Sequence, residues 1–244
     1  MVHEAAATGF ARSAGAYERG RPAYPPAAVA WLVARLGLAR GATVVDLAAG
    51  TGKLTRPLLA AGLHVVAVEP VAEMRAALPA RARAVDGTAE AMPLAAASAD
   101  AVTVAQAFHW FDGDRALAEI HRVLRPGGGL GLVWNRRVLE DPVQAALHEL
   151  MAPYRGDTPA HAAGTWREPF ARTTLFEALE ERTFSHVQRL DAAGLADRVG
   201  SVSFIAALSA AERARVRARA RALAGGGDVE LPYVCEVFVC FRRA

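Results

Sequence analysis

The chain has 244 residues, 53% hydrophobic and 22% charged, enough to bury a sizeable core in one domain. Its mean hydropathy is +0.16, no apolar run reaches the ~18 residues that span a bilayer, and residues 1–20 lack the continuous apolar stretch of a secretory leader; a soluble, cytoplasmic protein without a membrane partner is expected. A net charge of +3 is too small to mark a nucleic-acid partner, and with Lys53 the sole lysine among 28 basic residues the arginine excess reads as codon bias.

In chain order, Phe10, Arg12, Tyr17, Arg19, Arg21 and Tyr24 form an aromatic and basic leader, closed by Pro22, Pro25 and Pro26. Pro26 suits the first turn of a helix, in which Val29, Leu32, Val33 and Leu36 make an apolar stripe before a Gly37 cap. Residues 42–47 form a first strand, Lys53 to Ala61 a helix, residues 63–68 a second strand and Val71 to Leu78 a short helix. Residues 82–86 suit a third strand, 87–93 a turn with one helical turn, and 100–105 a fourth strand. A helix carrying Leu117, Ile120 and Leu124 ends at Arg125-Pro126-Gly127-Gly128, and 129–134 is a fifth strand. Strict alternation of apolar strands and helices predicts an α/β doubly wound, Rossmann-like parallel sheet with helices on both faces.

After Asn135 the pattern changes. Pro142 to Met151 reads as helix, 153–169 as loop, Glu180 to Leu190 as a sixth strand and Leu195 to Leu208 as helix. Ser209-Ala210-Ala211-Glu212 is a capping box opening a helix to Leu223, with Val216, Ala220 and Leu223 on one face. Leu231 to Arg242 is a last strand, in which Cys235 and Cys240 lie roughly 16 Å apart on opposite faces at ~3.3 Å per residue. A disulfide cannot close over that distance. One domain over 1–244 is expected, with 1–40 as an N-terminal cap and 136–228 as variable, substrate-side insertions.

The centre of the sequence is Val44-Val45-Asp46-Leu47-Ala48-Ala49-Gly50-Thr51-Gly52-Lys53, a strand running into a glycine turn and a helix. Open α/β sheets bind ligands at such a place. A Walker loop is excluded because Leu47 stands where its first glycine belongs and Leu54 where its Ser or Thr belongs. A dinucleotide fits poorly: Thr55 replaces the third glycine, and the Asp46 carboxylate would repel a pyrophosphate. S-adenosylmethionine (SAM) has no phosphate and carries a sulfonium and an ammonium, which an acid attracts. Glu69 ends the second strand, where a carboxylate reaches ribose hydroxyls of either cofactor.

The runs VVDLAAGTGKLT, VVAVEP, GTAEAMPL, SADAVTVAQAFHWF and EIHRVLRPGGGLGLVWN, collinear from about residue 17 to 135, resemble the successive motifs of class I SAM-dependent methyltransferases. They are similar to the small-molecule branch that includes trans-aconitate methyltransferase-like enzymes, and the ending LPYVCEVFV resembles that group too. The resemblance implies seven strands in the order 3-2-1-4-5-7-6, the last antiparallel. It implies that Asp46, Ala48, Gly50 and Gly52 frame the methionine half of SAM and Glu69 its ribose. Met74, Thr88, Ala89 and Glu90 then border the adenine, and Gln106 and Ala107 flank the cofactor at the fourth strand's end. Tyr17 and Arg21 match a tyrosine–arginine pair over the active site, Arg21 pairing with the methionine carboxylate. His109 is the candidate general base. Trp110, Phe111, Trp134 and Asn135 are candidates for the substrate wall, with Trp166, Arg167 and Tyr233 as weaker ones.

The implied reaction is methyl transfer from SAM to an oxygen, nitrogen or carbon of a small molecule. Two rivals stay open. One is an RNA methyltransferase, motivated by the arginines of 213–221, although the aromatics that would stack on bases sit in the core motifs instead. The other is a non-catalytic protein that holds SAM or another adenosine ligand. No metal site is expected, since His, Asp, Glu and Cys do not fall at ligand spacings.

Overall fold

The structure is a computed structural model that describes Gly15 and residues 18–244. Its strands are β1 (Thr43–Leu47), β2 (His64–Val68), β3 (Arg83–Val85), β4 (Ala99–Ala105), β5 (Leu124–Arg137), β6 (Glu180–Leu190) and β7 (Val229–Phe241). They form one sheet in the order β3-β2-β1-β4-β5-β7-β6. β1 to β5 are parallel, and β7 runs antiparallel to β5 and β6. The expected fold class and strand order are both present.

The helices are α1 (Pro26–Arg35), α2 (Thr55–Ala60), α3 (Ala72–Arg75), α4 (Gly113–Val123), α5 (Pro142–Met151), α6 (Glu168–Arg172), α7 (Ala192–Gly200), α8 (Ser203–Ala206) and α9 (Ala210–Ala222). Local chemistry sets their starts. The Asp112, Asp141 and Asp191 carboxylates accept the backbone N–H of Arg115, Gln144 and Gly194 at the first turns of α4, α5 and α7. The Ser209 hydroxyl accepts the Glu212 N–H at the head of α9.

Three apolar clusters follow from the alternation of side chains along the strands. One face of the sheet buries Val45, Val102, Leu132 and Cys240 against Leu117, Ile120 and Val123 of α4. The other buries Val44, Val65, Val133 and Cys235 against Leu32 of α1 and Leu58 of α2. Cys235 and Cys240 are thus buried free thiols on opposite faces. The third cluster joins α5, α7, α8 and α9 through Leu147, Leu195, Ile205 and Val216, and includes Tyr233 of β7. Tyr233 pairs with Arg137, the last residue of β5, so this cluster lies at the end of the sheet where the parallel strands finish.

Several elements differ from expectation. The helix expected over 195–208 begins earlier, at the Asp191 cap, and breaks between Gly200 and Ser203. At the break the Ser201 carbonyl accepts Nη2 of Arg21 and the Ser201 hydroxyl accepts its Nε, both at 3.1 Å; a long-range side chain satisfies the helix end. α3 is only four residues long. Residues 88–91 close as a small bridge between Thr88 and Ala91 rather than a helical turn. Leu223 is exposed, and Ala224 takes the buried position at the end of α9. β5 runs to Arg137, beyond the expected 134, because pairing with β7 continues past the last partner β4 offers, Ala105 opposite Val133.

Candidate active site

Of the non-glycine described residues with left-handed backbone, Ala48 (φ 55) and Gln106 (φ 60) stand just beyond the ends of the neighbouring strands β1 and β4. Such conformations cost about 1–3 kcal/mol each and gather at functional sites. The Gln106 N–H still donates to the Val133 carbonyl at 2.8 Å, which fixes the exit from β4. Gly50 (φ 58) and Gly52 (φ 87) complete the turn after β1, for two different reasons. A Cβ on Gly52 would lie 2.8 Å from Pro79 Cδ, whereas one on Gly50 would meet no protein atom within 4 Å. Gly52 is needed for packing, and Gly50 leaves open space beside the turn.

Two acids hold this turn. Glu69, at the end of β2, accepts the Gly50 N–H at 2.8 Å and the Val71 N–H at 2.9 Å. Its pKa is raised by burial, against the two N–H groups that favour the charged form. Asp46 is sealed beneath the turn at 1% exposure. Its oxygens accept the Thr55 hydroxyl at 2.6 Å and the Thr103 hydroxyl at 3.2 Å. Burial pushes its pKa up to about 6 against those hydroxyls, leaving it mostly ionised at neutral pH. Asp46 is thus closed off from direct contact above the turn, and its charge reaches that space only as a field.

Tyr17 lies outside the described residues. The segment just after it crosses the turn. The Glu18 carboxylate accepts the Thr51 hydroxyl at 2.7 Å, and its carbonyl accepts Lys53 Nζ at 2.8 Å. The Gly20 carbonyl accepts Gln188 Nε2, and a Cβ on Gly20 would overlap the backbone of Asp197 and Arg198. Asn135 Nδ2 donates to the Ala23 carbonyl at 3.1 Å. Residues 18–23 are thus strapped from the glycine turn to α7, and Arg21 reaches the wall of the cavity described next.

Beyond β4 and β5 lies a cavity of about 360 Å³. Gln106, His109, Trp110, Trp134 and Asn135 line it. The residue pattern after β4 was legible because an aromatic pair beside an imidazole follows the strand directly; it folds as a short 3-10 turn, Phe108–Trp110. The Trp134 Nε1–H donates to His109 Nδ1 at 3.3 Å. Burial, then the neighbouring His161 and Arg21, push the His109 pKa down to about 3. The ring is neutral, and with Nδ1 accepting, its proton sits on Nε2. A general base would need a free lone pair, and the one that His109 owns already faces the indole N–H; the geometry suits His109 as a donor.

The remaining expected residues lie outside the wall of this cavity. Phe111 packs edge-on to Phe108, 5.5 Å between centroids, within the core and not in the cavity wall. Met74 and Ala89 are buried, at 2% and 4% exposure. Glu90 accepts the Asp112 N–H at 3.2 Å, tying the 88–91 turn to the head of α4, and Ala107 packs against the core cluster. Trp166 is buried against Trp134 and Phe238, and Arg167 covers Trp166 and Phe238 from outside while pairing with Glu181. The Tyr233 hydroxyl accepts Arg198 Nε at 2.9 Å.

The sequence reading missed His161, His148, Arg137 and Arg155, which also line the cavity. His161 stacks on Trp134 at 4.4 Å, and burial with Arg167 and Arg136 nearby pushes its pKa down to about 4. The signal available was the dipeptide Arg136-Arg137 at the close of a strand whose middle, Leu130 to Trp134, is apolar. Among the described residues, no three His, Cys, Asp or Glu side chains gather as a metal site, and no helix is long and apolar enough to cross a membrane.

Residues 45–132 match a family described as a methyltransferase domain. The chain is 43% identical to an uncharacterized methyltransferase of Mycobacterium tuberculosis over 244 residues, covering 96% of this chain and 94% of the relative. Among solved structures it is similar to a chain from Anaeromyxobacter dehalogenans assigned as a type II methyltransferase, with TM-score 0.67, 27% identity, and 91% and 97% of the two chains covered. Its fold is also that of a Haemonchus contortus phosphoethanolamine N-methyltransferase solved with phosphomonomethylethanolamine and S-adenosylhomocysteine, with TM-score 0.57 and 17% identity over 96% of this chain and 58% of that one.

Proposed function

Because the chain belongs to the class I SAM-dependent methyltransferases, we propose that it moves a methyl group from SAM to an oxygen, nitrogen or carbon of a small molecule held in the cavity beyond β4 and β5. The observation that carries this reading is the position of Gln106. It ends β4 beside the glycine turn, and its left-handed backbone leads straight into the wall that holds His109.

The residues around the turn fit the donor. Gly50 leaves room for close approach, and Asp46 beneath the turn supplies a negative field suited to a sulfonium and an ammonium. Glu69 gives one lone pair of each oxygen to Gly50 and Val71 and keeps the others for ribose hydroxyls. Met74 and the Thr88–Glu90 turn are assigned to the adenine side, and Arg21, with Tyr17, to the methionine carboxylate. Gln106 and Ala107 separate the donor from the acceptor cavity.

SAM, when bound, supplies a methyl group already activated on a sulfonium. The chain must align the acceptor and exclude water, and alignment alone is worth about 7–11 kcal/mol. The walls of Trp110 and Trp134 exclude water. His109 donates its Nε2–H to the acceptor and orients it; Asn135, tethered to Ala23 and to His186 Nε2 at 2.9 Å, fixes the opposite wall.

Calorimetry with SAM, S-adenosylhomocysteine and NAD tests the donor: binding of the first two and not of NAD is expected, and NAD binding without SAM overturns the reading. Release of S-adenosylhomocysteine across an acceptor panel tests the chemistry; a protein that binds SAM and turns over nothing would be a holder of the ligand. The RNA reading loses support from α9, where Arg213 bonds the Ala206 carbonyl and Arg217 pairs with Asp197.

A further inference from the structure

The far end of the cavity concentrates positive charge. Arg137 and Arg155 line it, together with His148. Arg198 stands behind, its Nε bonded to the Tyr233 hydroxyl, and Tyr233 is the strand partner of Arg137. Among the described residues, Arg137, Arg155 and Arg198 have no ion-pair partner. Asp197, the acid next to Arg198, is taken by Arg19 and Arg217. Glu140 is the one acid among the described residues of the wall, and it is exposed.

The hydrogen bonding is equally incomplete. Arg137 Nη1 and Arg198 Nη1 are buried and have no hydrogen-bond partner among the described residues. Buried charges are ordinarily paired, because desolvation is otherwise uncompensated. Burial and the charges of Arg198, Arg21 and Arg155 push the Arg137 pKa down to about 9, still protonated at neutral pH. A cluster held in this state is preorganised for an anion, and guanidinium forks match carboxylate and phosphate oxygens in two-pronged fashion.

The neighbours divide the cavity into two ends. His148 lies within the field of Arg137 and Arg155. His109 lies beside His161 and Trp134 at the β4 end, and the charge of Arg21 reaches both it and Arg137. We infer that the methyl acceptor carries an anionic group, a carboxylate or a phosphate, which Arg137 and Arg155 hold at the end of the cavity away from His109, so that a different atom of the acceptor is presented for methylation. This deepens the methyltransferase reading and rests on it.

The test uses the full chain and two probe anions, succinate and inorganic phosphate, with succinamide as the neutral control, each titrated with and without S-adenosylhomocysteine. Saturable binding of at least one anion that weakens with salt, with none of succinamide, is expected. Arg137→Gln should weaken anion binding tenfold or more and leave S-adenosylhomocysteine affinity within twofold. It should also raise the melting temperature of the free protein by about 2–4 °C, since an unpaired buried charge is removed; a merely structural arginine would lower it. Arg155→Gln is the second variant and should also lose anion affinity. Tighter phosphate marks a phosphorylated acceptor and tighter succinate a carboxylated one. Equal binding of succinamide, no binding of either anion, or wild-type anion binding in Arg137→Gln overturns the inference. Failure of S-adenosylhomocysteine to bind the wild type overturns the methyltransferase reading instead, and the anion titrations without it still decide whether the arginines form an anion site.

Discussion

The indole N–H of Trp134 points at Nδ1 of His109 from 3.3 Å, and this one contact fixes the imidazole's tautomer. With the His109 pKa pushed down to about 3, the ring does not titrate in the working range of the enzyme. The pH profile of kcat/KM is therefore expected to show no inflection between about 5 and 8 that belongs to His109. His109→Phe should lower the rate and leave the shape of the profile unchanged. A wild-type inflection near 6.5 that vanishes in the variant would return His109 to the role of base.

The same depressed histidines set an acid limit on folding. His109 and His161 fall from 6.5 to about 3 and about 4 in the folded chain. Below pH 6.5 the unfolded chain binds protons that the folded chain refuses, so stability falls as pH falls, by about 1.4 kcal/mol per pH unit for each histidine. Asp46, raised from 3.8 to about 6, and Glu69, also raised by burial, have the opposite sign and offset part of this, while His148 and His186, lowered by burial, add to it. Urea midpoints measured from pH 7 to 5 should drop, and His161→Phe should make the drop shallower. A midpoint independent of pH would contradict the burial of these rings.

Gly50→Ala and Gly52→Ala separate ligand from packing. At Gly50 the new methyl meets nothing in the protein and suffers only the left-handed φ of 58. A loss of about 1 kcal/mol of stability is expected, with a loss of S-adenosylhomocysteine affinity of tenfold or more by calorimetry. At Gly52 the methyl strikes Pro79 as well, and the melting temperature should fall further. Unchanged affinity in Gly50→Ala would remove the ligand from the turn.

Asp46→Asn keeps the shape and removes a charge that burial disfavours. The variant is expected to be at least as stable as the wild type, by thermal melting at pH 7, because its two threonine hydroxyls can rotate to suit an amide. It should lose affinity for SAM more than for S-adenosylhomocysteine, which lacks the sulfonium charge. Equal losses for the two ligands would show that the carboxylate only holds the turn.

The centre of the sheet was legible because β1, β4 and the middle of β5 are buried on both faces and read as apolar runs, and because glycine and proline punctuate the turns between them. Asp46, Glu69 and Gln106 were expected at strand ends, and they stand there. Phe111 was misplaced because adjacent aromatics in a 3-10 turn point different ways, which their order in sequence does not reveal. Arg137, Arg155 and His161 were missed because they come from separate segments of the least patterned third and meet only when α5 and the following turns fold over the end of β5. The break at Ser201 depends on Arg21, 180 residues away along the chain.

Leu190 and Val229 are register partners at the start of the β6–β7 hairpin. Everything between them, α7 to α9, is topologically an enlarged hairpin loop. Its two ends enter and leave at neighbouring positions of the sheet, so the register of the strands does not depend on the length of the excursion. Residues 191–228 bring Val202, Ser203 and Phe204 to the cavity wall, and their length can vary without shifting the register of β6 and β7 or the strand ends around the glycine turn.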